Sequence, residues 1–314
     1  MKHGFILGKF APFHQGHVFL IRQAQLQCEI LTVLVTSREE DAIPGWQCYH
    51  WVKSMFPELD VRHLIGSHEP SGERIMQNLP AGTSILFESG VEHRFLAQSL
   101  GIQHILIDPK RKHFPVPGAE IRKDPFRYVE LLPPNVRAYY IKRIALVGPE
   151  SCGKSYLAEK LALHFNTVFV PEYGRTYCEK FGMDSTPLDF AHVAGGQLYH
   201  EDEMALQANQ LLFCDTELIV TQVWSEIYFT GKCQPWIFWA DHVRRYDLFL
   251  LCAPDIPWVN DGLREYEGHR AWMFERLQQE LESRGLNYEI IQGGFEERMA
   301  SAIQACGTFI RINA

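Results

Sequence analysis

The stretch RIALVGPESCGKSYLAEKLALHF, residues 143–165, joins a short apolar run to a helix-forming run through a glycine-containing loop. Its middle, GPESCGKS at residues 148–155, matches the pattern G-x-x-x-x-G-K-[ST], which requires a strand before it and a helix after it. In such a loop the backbone N–H groups surround nucleotide phosphates, and the lysine reaches the outer ones. The residues therefore expected to bind ATP are Gly148, Gly153, Lys154 and Ser155.

From the apolar run before this loop to the end of the chain, apolar runs alternate with helix-like segments. The strand-like runs are RIALVG, NTVFVPE, LLFCDTE, YDLFLLCAP and NYEIIQ. Strands that are apolar on both faces and alternate with helices are typical of a parallel sheet covered by helices. We predict a doubly wound α/β domain over residues 141–314.

Upstream of the loop the same alternation occurs. The strand-like runs are HGFILGKF, EILTVLVTS, VRHLIG, SILFES and HILID, with helices expected at about residues 16–27 and near YHWVKSMF. Proline- and glycine-containing sequence, FPVPGAEIRKDPF and LLPPNVRAYYIKR, then leads into the second domain. Because 314 residues are many for one core, we predict a separate doubly wound, parallel-sheet α/β domain over residues 1–140.

A carboxylate follows the third strand-like run of the second domain. Asp215 comes after the apolar LLFC, where nucleotide kinases carry the acidic residue associated with their metal ion. A helix N-cap at the end of a strand is the alternative role, and the two roles are compatible. We therefore predict that Asp215 and Ser155 hold Mg²⁺.

Two more segments of the second domain carry charged residues near the expected phosphate site. In PEYGR, residues 171–175, Glu172 could accept the proton of an attacking hydroxyl or bind ribose hydroxyls, and Arg175 could stabilise phosphate charge. A surface turn is the alternative for this segment. In WVNDGLR, residues 258–264, Arg264 is placed like an arginine of a lid that closes over the transferred phosphoryl group.

The first strand-like run ends in GKFAPFHQGH, residues 8–17. The proline and glycines turn the chain into a helix expected to start near His17, and the N–H groups and dipole of a helix start attract anions. His14 and His17 can both point at the same phosphates because Gly16 between them has no side chain, and Lys9 adds a positive charge. The H-x-G-H spacing at the first strand-to-helix turn is the signature of nucleotidyltransferases that use ATP or CTP.

Composition and charge exclude several classes of protein. A net charge of -8 argues against a surface for duplex nucleic acid, and the apolar runs are too short for a membrane span. The eight cysteines form no C-x-x-C pair, which favours reduced thiols over a disulfide framework or a zinc site. The N-terminus lacks a signal-peptide core, so we expect a cytoplasmic protein.

Taken in order, GKFAPFHQGH, EIRKDPF, GPESCGKS, EYGR, CDTE and WVNDGLR resemble the NadR-type bifunctional enzymes, in which a nicotinamide mononucleotide adenylyltransferase is fused to a ribosylnicotinamide kinase. The resemblance covers nearly the whole chain. The helix-turn-helix domain of the repressor members has no room before a first strand that starts at about residue 3, so DNA binding is not expected.

The resemblance implies two reactions and a Rossmann-like nucleotidyltransferase domain followed by a P-loop kinase domain. The kinase would phosphorylate the 5′-hydroxyl of nicotinamide riboside with ATP and Mg²⁺, and the first domain would then join the mononucleotide to a second ATP, giving NAD and pyrophosphate. The expected partners are these small molecules, without nucleic acid or membrane; a homo-oligomer is left open. The residues assigned to catalysis are His14, His17, Glu172 and Asp215. Those assigned to ATP in the first domain are Gly8, Lys9, Phe10 and Arg122.

Several positions depart from the family pattern. Pro117 replaces a serine that helps bind phosphate, CYHW stands where an arginine-rich segment precedes a tryptophan, and a tyrosine-proline-tryptophan loop is absent around SHEPSGERIM. We expect these changes to weaken the adenylyltransferase or alter its substrate, or to be compensated by other residues. The candidates for compensation are His50, Arg74 and His93. In the kinase domain, Pro171 replaces a tryptophan expected to stack on the pyridine ring.

Two alternatives stay open at the level of the sequence. The chain could fuse a nucleotidyltransferase to a kinase for a different nucleoside. It could also be a regulatory protein whose first domain senses a pyridine nucleotide without turnover while the P-loop domain acts as an ATP switch. The intact His14 and His17 speak against a sensor, and Pro117 speaks for it.

Overall fold

The structure is a computed structural model that describes residues 2–66, 70–182, 185–243, 246–259, 262 and 267–310. It divides into two compact units, Met1–Tyr139 and Tyr140–Ala314. Each unit is built on its own five-stranded sheet, and all the strands of each sheet run parallel.

The first unit alternates strands and helices. Its strands are β1 His3–Gly8, β2 Ile30–Ser37, β3 Asp60–Ile65, β4 Thr83–Glu88 and β5 Gln103–Leu106, in the spatial order β3-β2-β1-β4-β5. Its helices are α1 Gln15–Gln25, α2 Gly45–Met55, α3 Gly72–Gln77, α4 Arg94–Leu100, α5 Gly118–Lys123 and α6 Pro134–Tyr140, with a 3-10 helix at Pro125–Leu131.

The order of these strands creates a crevice beside β1. This strand pairs with β2 on one side and with β4 on the other, so the chain crosses the sheet in opposite directions from this point. Ligands of open parallel sheets bind at such a switch point, outside the carboxyl ends of the strands. Phe5 and Leu7 pack with α3 and α4, and Ile6 is buried on the other face of the sheet. The turn after Gly8 is therefore carried by a strand with buried side chains on both faces.

The second unit repeats this plan. Its strands are β6 Lys142–Val147, β7 Phe169–Val170, β8 Leu211–Asp215, β9 Leu248–Cys252 and β10 Tyr288–Ile291, in the order β10-β9-β6-β8-β7. Its helices are α7 Lys154–His164, α8 Tyr173–Phe181, α9 Pro187–Ala205, α10 Leu218–Tyr228, α11 Pro235–Val243, α12 Arg270–Ser283 and α13 Phe295–Gly307, with a 3-10 helix at Glu267–His269.

Successive residues of β6 enter two different cores. Ile144 and Leu146 pack with α7 and α13, whereas Ala145 and Val147 pack with α10 and α12. This two-residue alternation is the geometry of a strand covered by helices on both faces. The predicted fold class, two doubly wound parallel-sheet α/β domains, is confirmed. No helix in the described ranges is both long and apolar enough to cross a bilayer.

Two local predictions were inaccurate. Helix α1 begins at Gln15 rather than near Gly16 or His17, because the His14 carbonyl accepts hydrogen bonds from the N–H groups of His17 and Val18. The strand predicted in NTVFVPE is only two residues long, and it pairs with β8 alone as an edge strand. Pro171 follows it directly, and a proline cannot donate a hydrogen bond to continue the ladder.

Candidate active sites

The first candidate site is the turn between β1 and α1. Phe10 has a left-handed φ of 51°, and the Ala11–Pro12 peptide bond is cis. Phe10 and Phe13 are buried, and the rings of both lie within 6 Å of the His17 ring centroid, at 5.0 and 5.8 Å. The phenylalanines of GKFAPFHQGH therefore form an apolar support on which the histidines are placed.

His14 and His17 are held by backbone groups. The His14 side chain caps α1 by accepting a hydrogen bond on Nδ1 from the N–H of Gly16 at 3.1 Å. The Nδ1 atom of His17 accepts in turn from the N–H of His14 at 3.3 Å, and the two rings stack with centroids 3.8 Å apart. Because both Nδ1 atoms are acceptors, the neutral rings carry their proton on Nε2.

Both histidines are kept neutral by their surroundings. Burial lowers the pKa of His14 from 6.5 to about 4, with a further contribution from the positive charge of Arg111. Burial also lowers the pKa of His17 well below its ordinary value, and His14 and Arg111 add to this effect. At neutral pH the pair is therefore two uncharged Nε2–H donors.

A cavity of about 460 Å³ opens beside the histidines. Of the residues predicted from the sequence, the structure places Lys9, Phe10, His14, His17 and Arg122 in its lining. Gly8 ends β1 next to the Phe10 ring and is not among the lining residues.

The charges in this cavity differ from the sequence expectation. Lys9 forms an ion pair with Asp41 at 2.9 Å, so its charge is partly compensated. Arg122 donates a hydrogen bond to the carbonyl of Ala11 and so braces the turn. Arg111, which the sequence analysis did not single out, lines the cavity and is the cation that acts on both histidines. Its distance along the chain from the H-x-G-H motif explains why no spacing pointed to it.

Part of the cavity lining comes from the segment that departs from the family pattern. Pro117 is the N-cap of α5 and lines the cavity. A Cβ atom on the next residue, Gly118, would lie 3.4 Å from Nε2 of His14, so the absence of a side chain here leaves space beside that atom. Pro117 therefore lines the same cavity as the histidines without offering a hydroxyl or an N–H group.

The three residues suggested as compensation lie elsewhere. Arg74 donates to the carbonyl of Ile65 at 2.6 Å, His50 lies on α2, and His93 bonds to Glu88 at 2.8 Å. None of the three is among the residues lining the cavity of about 460 Å³. The structure does not bring them together with His14 and His17.

The second candidate site is the turn between β6 and α7. Gly148 and Gly153 have φ values of 147° and 83°, which favour glycine, and Ser151 has a left-handed φ of 53°. A Cβ atom on Gly148 would come within 2.6 Å of the carbonyl oxygen of Cys252. The loop can therefore curl tightly against β9 only with glycine at this position.

Lys154 begins α7 and reaches back over the loop. Its Nζ atom donates to the carbonyls of Gly148 and Pro149 at 3.0 and 2.9 Å. Burial on its own would lower its pKa, but the negative charges of Cys152, Glu172 and Asp215 outweigh this effect and raise it. Lys154 therefore carries a positive charge at neutral pH, next to the loop.

Asp215 lies at the end of β8 with only 1% of its surface exposed. Burial and repulsion by Glu172 raise its pKa to about 7, against the opposing effects of Lys154 and a hydrogen bond from Ser155. Its Oδ1 atom has no hydrogen-bond partner among the described residues. A buried carboxylate oxygen without a partner is costly, so this atom is suited to a ligand.

A cavity of about 410 Å³ opens beside this loop. The predicted residues in its lining are Gly153, Lys154, Ser155, Glu172 and Arg175. Gly148 and Asp215 do not line it, although Asp215 helps to raise the pKa of Lys154. Glu172 is the N-cap of α8, and Arg175 lies 3.9 Å from Glu179. The predicted lid arginine, Arg264, lies outside the described residues.

This cavity also has an apolar wall that was not predicted from the sequence. The wall is aromatic and comes from four helices: Tyr156, Tyr177, Phe190, Trp224 and Tyr228. The hydroxyl of Tyr177 donates to Asp189 at 2.5 Å. Aromatic residues of a helix are usually core residues, and only the fold shows that these face a cavity. They supply flat surfaces of the kind that ring systems stack on.

Comparisons with known proteins agree with the two-unit architecture. The family model for an AAA domain matches residues 143–298. Over 294 residues the chain is 32% identical to the trifunctional NAD biosynthesis/regulator protein NadR of Escherichia coli (strain K12), covering 83% of this chain and 71% of that protein. The protein of the same name from Salmonella typhimurium is 31% identical with the same coverage.

Two crystal structures of NadR share the fold of the whole chain. One holds NR and the other NAD and AMP-PNP; their TM-scores are 0.79 and 0.80, with 21% and 22% identity. Each comparison covers 100% of this chain and 98% of the other. The sequence identity to the curated relatives, over most of both chains, decides the family. The chain belongs to the NadR family.

Proposed function

We propose that this chain makes NAD in two steps, phosphorylating nicotinamide riboside in the second unit and adenylylating the resulting mononucleotide in the first. Each unit has its own strand-to-helix turn beside its own cavity, and this pairing supports two phosphate-transfer reactions in one chain. Membership of a family of NAD biosynthesis proteins supports the choice of substrates.

In the first unit, the mononucleotide phosphate would attack the α-phosphate of ATP and release pyrophosphate. His14 and His17 would donate Nε2–H hydrogen bonds to phosphate oxygens whose charge grows in the transition state, and Arg111 would add a positive charge. Neutral donors in fixed positions stabilise this charge without a proton transfer. The rigid cap of α1 therefore contributes by orienting donors before the substrates bind.

In the second unit, the 5′-hydroxyl of the riboside would attack the γ-phosphate of a separate ATP. Lys154 and the N–H groups of the loop would hold the phosphates, and Arg175 would stabilise the transferred group. Glu172 lies in the same cavity and is close enough to Asp215 and Lys154 to affect the pKa of each, so it is the proposed acceptor of the hydroxyl proton.

The kinase site fits a magnesium ion. Asp215 offers a buried oxygen without a partner among the described residues, and the hydroxyl of Ser155 contacts the same carboxylate. No cluster of three or more histidine, cysteine or acidic side chains in the described ranges could hold a metal alone. Mg²⁺ needs only one or two carboxylates together with substrate phosphates. Ser155 and Asp215 would hold the ion, which would neutralise phosphate charge.

We also propose a reducing, cytoplasmic location. All eight cysteines are free thiols. Paired disulfides are the usual state of exported proteins, so free thiols are consistent with this location.

Product analysis tests the proposal. Purified protein is incubated with ATP, MgCl₂ and either nicotinamide riboside or the mononucleotide, and products are separated by chromatography. We expect mononucleotide and NAD from the riboside, and NAD with pyrophosphate from the mononucleotide. If no mononucleotide is formed from the riboside, the assignment of kinase activity is wrong. Binding of the mononucleotide without NAD formation would instead favour the alternative in which the first domain senses a pyridine nucleotide without turnover.

A further inference from the structure

Arg298 of α13 is a buried arginine outside the groups assigned above. Only 2% of its surface is exposed. Its guanidinium donates from Nε to the carbonyl of Gly293 at 2.8 Å, from Nη1 to that of Cys152 at 3.0 Å, and from Nη2 to that of Ala253 at 2.8 Å. It also forms an ion pair with Asp255. One side chain therefore bonds to three separate segments of the chain.

These segments surround the candidate ATP site. Cys152 belongs to the phosphate-binding loop, Ala253 and Asp255 follow β9, and Gly293 follows β10. Asp255 strengthens the link because it also accepts a hydrogen bond from the N–H of Gly293 at 2.6 Å. The ends of three neighbouring parallel strands are thus joined by a single charged pair.

Arg270 of α12 makes a similar link from the other side. It donates to the carbonyl of Ser151 at 3.0 Å and to that of Ile256 at 3.1 Å, and its guanidinium lies 5.8 Å from the ring centroid of Trp258. The carbonyls of two successive loop residues, Ser151 and Cys152, are therefore each bonded by an arginine.

The orientation of these carbonyls decides whether the loop can bind phosphate. A loop that turns its N–H groups toward phosphates must turn carbonyls away from them, and buried carbonyls need donors. The planar guanidinium supplies several donors in a fixed geometry, which an ammonium group does not. Arg298 has all the contacts needed to fix the loop in one conformation.

We propose that Arg298 is a positioning residue for ATP in the kinase reaction, holding the phosphate-binding loop to the segments that follow β9 and β10. This inference rests on the proposed kinase function for its kinetic test only. Arg298 contacts backbone carbonyls and Asp255, and it is buried away from the lining of the kinase cavity. Its effect should therefore fall on ATP and not on the nucleoside.

The variant Arg298→Lys tests this proposal because it keeps the positive charge but replaces the planar guanidinium, with its several N–H donors, by an ammonium group. We expect the KM for ATP in the kinase reaction to rise about tenfold or more, the scale of one charge-assisted hydrogen bond, while the KM for nicotinamide riboside is unchanged. NAD formation from added mononucleotide, the reaction of the first unit, should keep its wild-type rate, and the unchanged KM for nicotinamide riboside shows that the second unit is folded.

Arg276→Lys is the matched control. Arg276 lies on α12 and forms partly buried ion pairs with Glu226 and Glu280. We expect its KM for ATP to equal that of the wild type. A wild-type KM for ATP in Arg298→Lys would overturn the proposal. So would an equal rise in both KM values, or an equal effect in Arg276→Lys, because each indicates a general structural role.

Asp255→Asn covers the case in which Arg298→Lys fails to fold. It removes the ion pair and leaves the three carbonyl bonds of Arg298 in place. We expect a smaller rise in the KM for ATP, again without a change for the riboside. No rise in a folded Asp255→Asn protein contradicts the proposal.

Calorimetric titration with AMP-PNP separates this proposal from the proposed function. The difference between the wild-type and Lys154→Met isotherms identifies binding at the phosphate-binding loop. Weaker binding at this site in Arg298→Lys supports the positioning role even if nicotinamide riboside is not a substrate. Unchanged binding contradicts it.

Discussion

His17 is the residue at which loss of one hydrogen-bond donor should be most visible. Its Nδ1 is occupied by the N–H of His14, so only Nε2–H is left to bind phosphate. We expect His17→Ala to lower the rate of NAD formation from the mononucleotide by about 10²–10³-fold, the usual cost of losing a transition-state donor. Phosphorylation of the riboside should not change. The rates of both reactions, followed by chromatography of the products, test this prediction.

His50→Ala is the control for this variant, since His50 is exposed on α2 and outside the cavity. It should keep the wild-type rate. Equal loss in both variants would contradict the role of His17 and would restore His50 as a compensating residue.

His14 should also make folding stability depend on pH. Its pKa is about 4 in the folded protein and 6.5 as the ordinary value, so the unfolded chain binds the proton first as pH falls. The contribution of neutral His14 to the free energy of unfolding is therefore complete above about pH 6.5 and is lost as the pH falls toward 4. The full loss is on the order of 3 kcal/mol. Urea unfolding of the wild type and of His14→Asn at pH 7 and 4.5 measures this loss of stability. An identical pH dependence in the two proteins would refute the prediction.

We expect Asp215 to lower the stability of the fold while it serves the proposed kinase reaction. Its buried carboxylate is repelled by Glu172, and part of it has no hydrogen-bond partner within the described part of the chain. We expect Asp215→Asn to reduce riboside phosphorylation at least about 10²-fold and to raise the free energy of unfolding at pH 8 by about 1–2 kcal/mol. Kinase rates and urea unfolding check the two parts. A less stable variant would show that the carboxylate serves the fold instead.

At the scale of elements, the sequence predicts strands well where a motif is attached to them. The turns after β1 and β6 were located by GKFAPFHQGH and GPESCGKS, because each pattern requires a strand before it and a helix after it. Helices α3 and α4 were not predicted, since they have six and seven residues and show little periodicity. The start of α1 was placed too late because a histidine is not a common N-cap.

The N-terminus of α1 offers a prediction at this scale. A Cβ atom on Gly16 would lie 2.9 Å from Cε1 and 3.0 Å from Nδ1 of His14, so Gly16→Ala must shift the ring or break its cap. We expect NAD formation from the mononucleotide to fall at least about tenfold, since a small misplacement of an orienting group is costly. Arg22→Ala, at an exposed position of the same helix, is the control and should be fully active. A fully active Gly16→Ala would show that the cap is dispensable.

At the scale of the whole molecule, what the sequence could not predict depends on contacts between distant residues. Arg298 meets the carbonyl of Cys152 across 146 positions of the chain, and no spacing rule relates them. The same holds for Arg111 beside His14, and for the aromatic wall of the kinase cavity. Sequence motifs predict site residues that lie on a single turn. Site residues that come from the ends of several strands can be identified only from the folded structure.

The two reactions should be separable and then recoverable by mixing. Lys154→Met removes the charge at the phosphate-binding loop of the second unit, and His17→Ala removes a donor in the first. Supplied with riboside, ATP and Mg²⁺, Lys154→Met should form neither product, and His17→Ala should accumulate mononucleotide. Because the mononucleotide is a free product of one site and a substrate of the other, a mixture of the two variants should form NAD. Chromatography of the mixture checks this. If the mixture forms no NAD while Lys154→Met still converts added mononucleotide, then the intermediate is not released to solution, and the proposal of two independent sites fails.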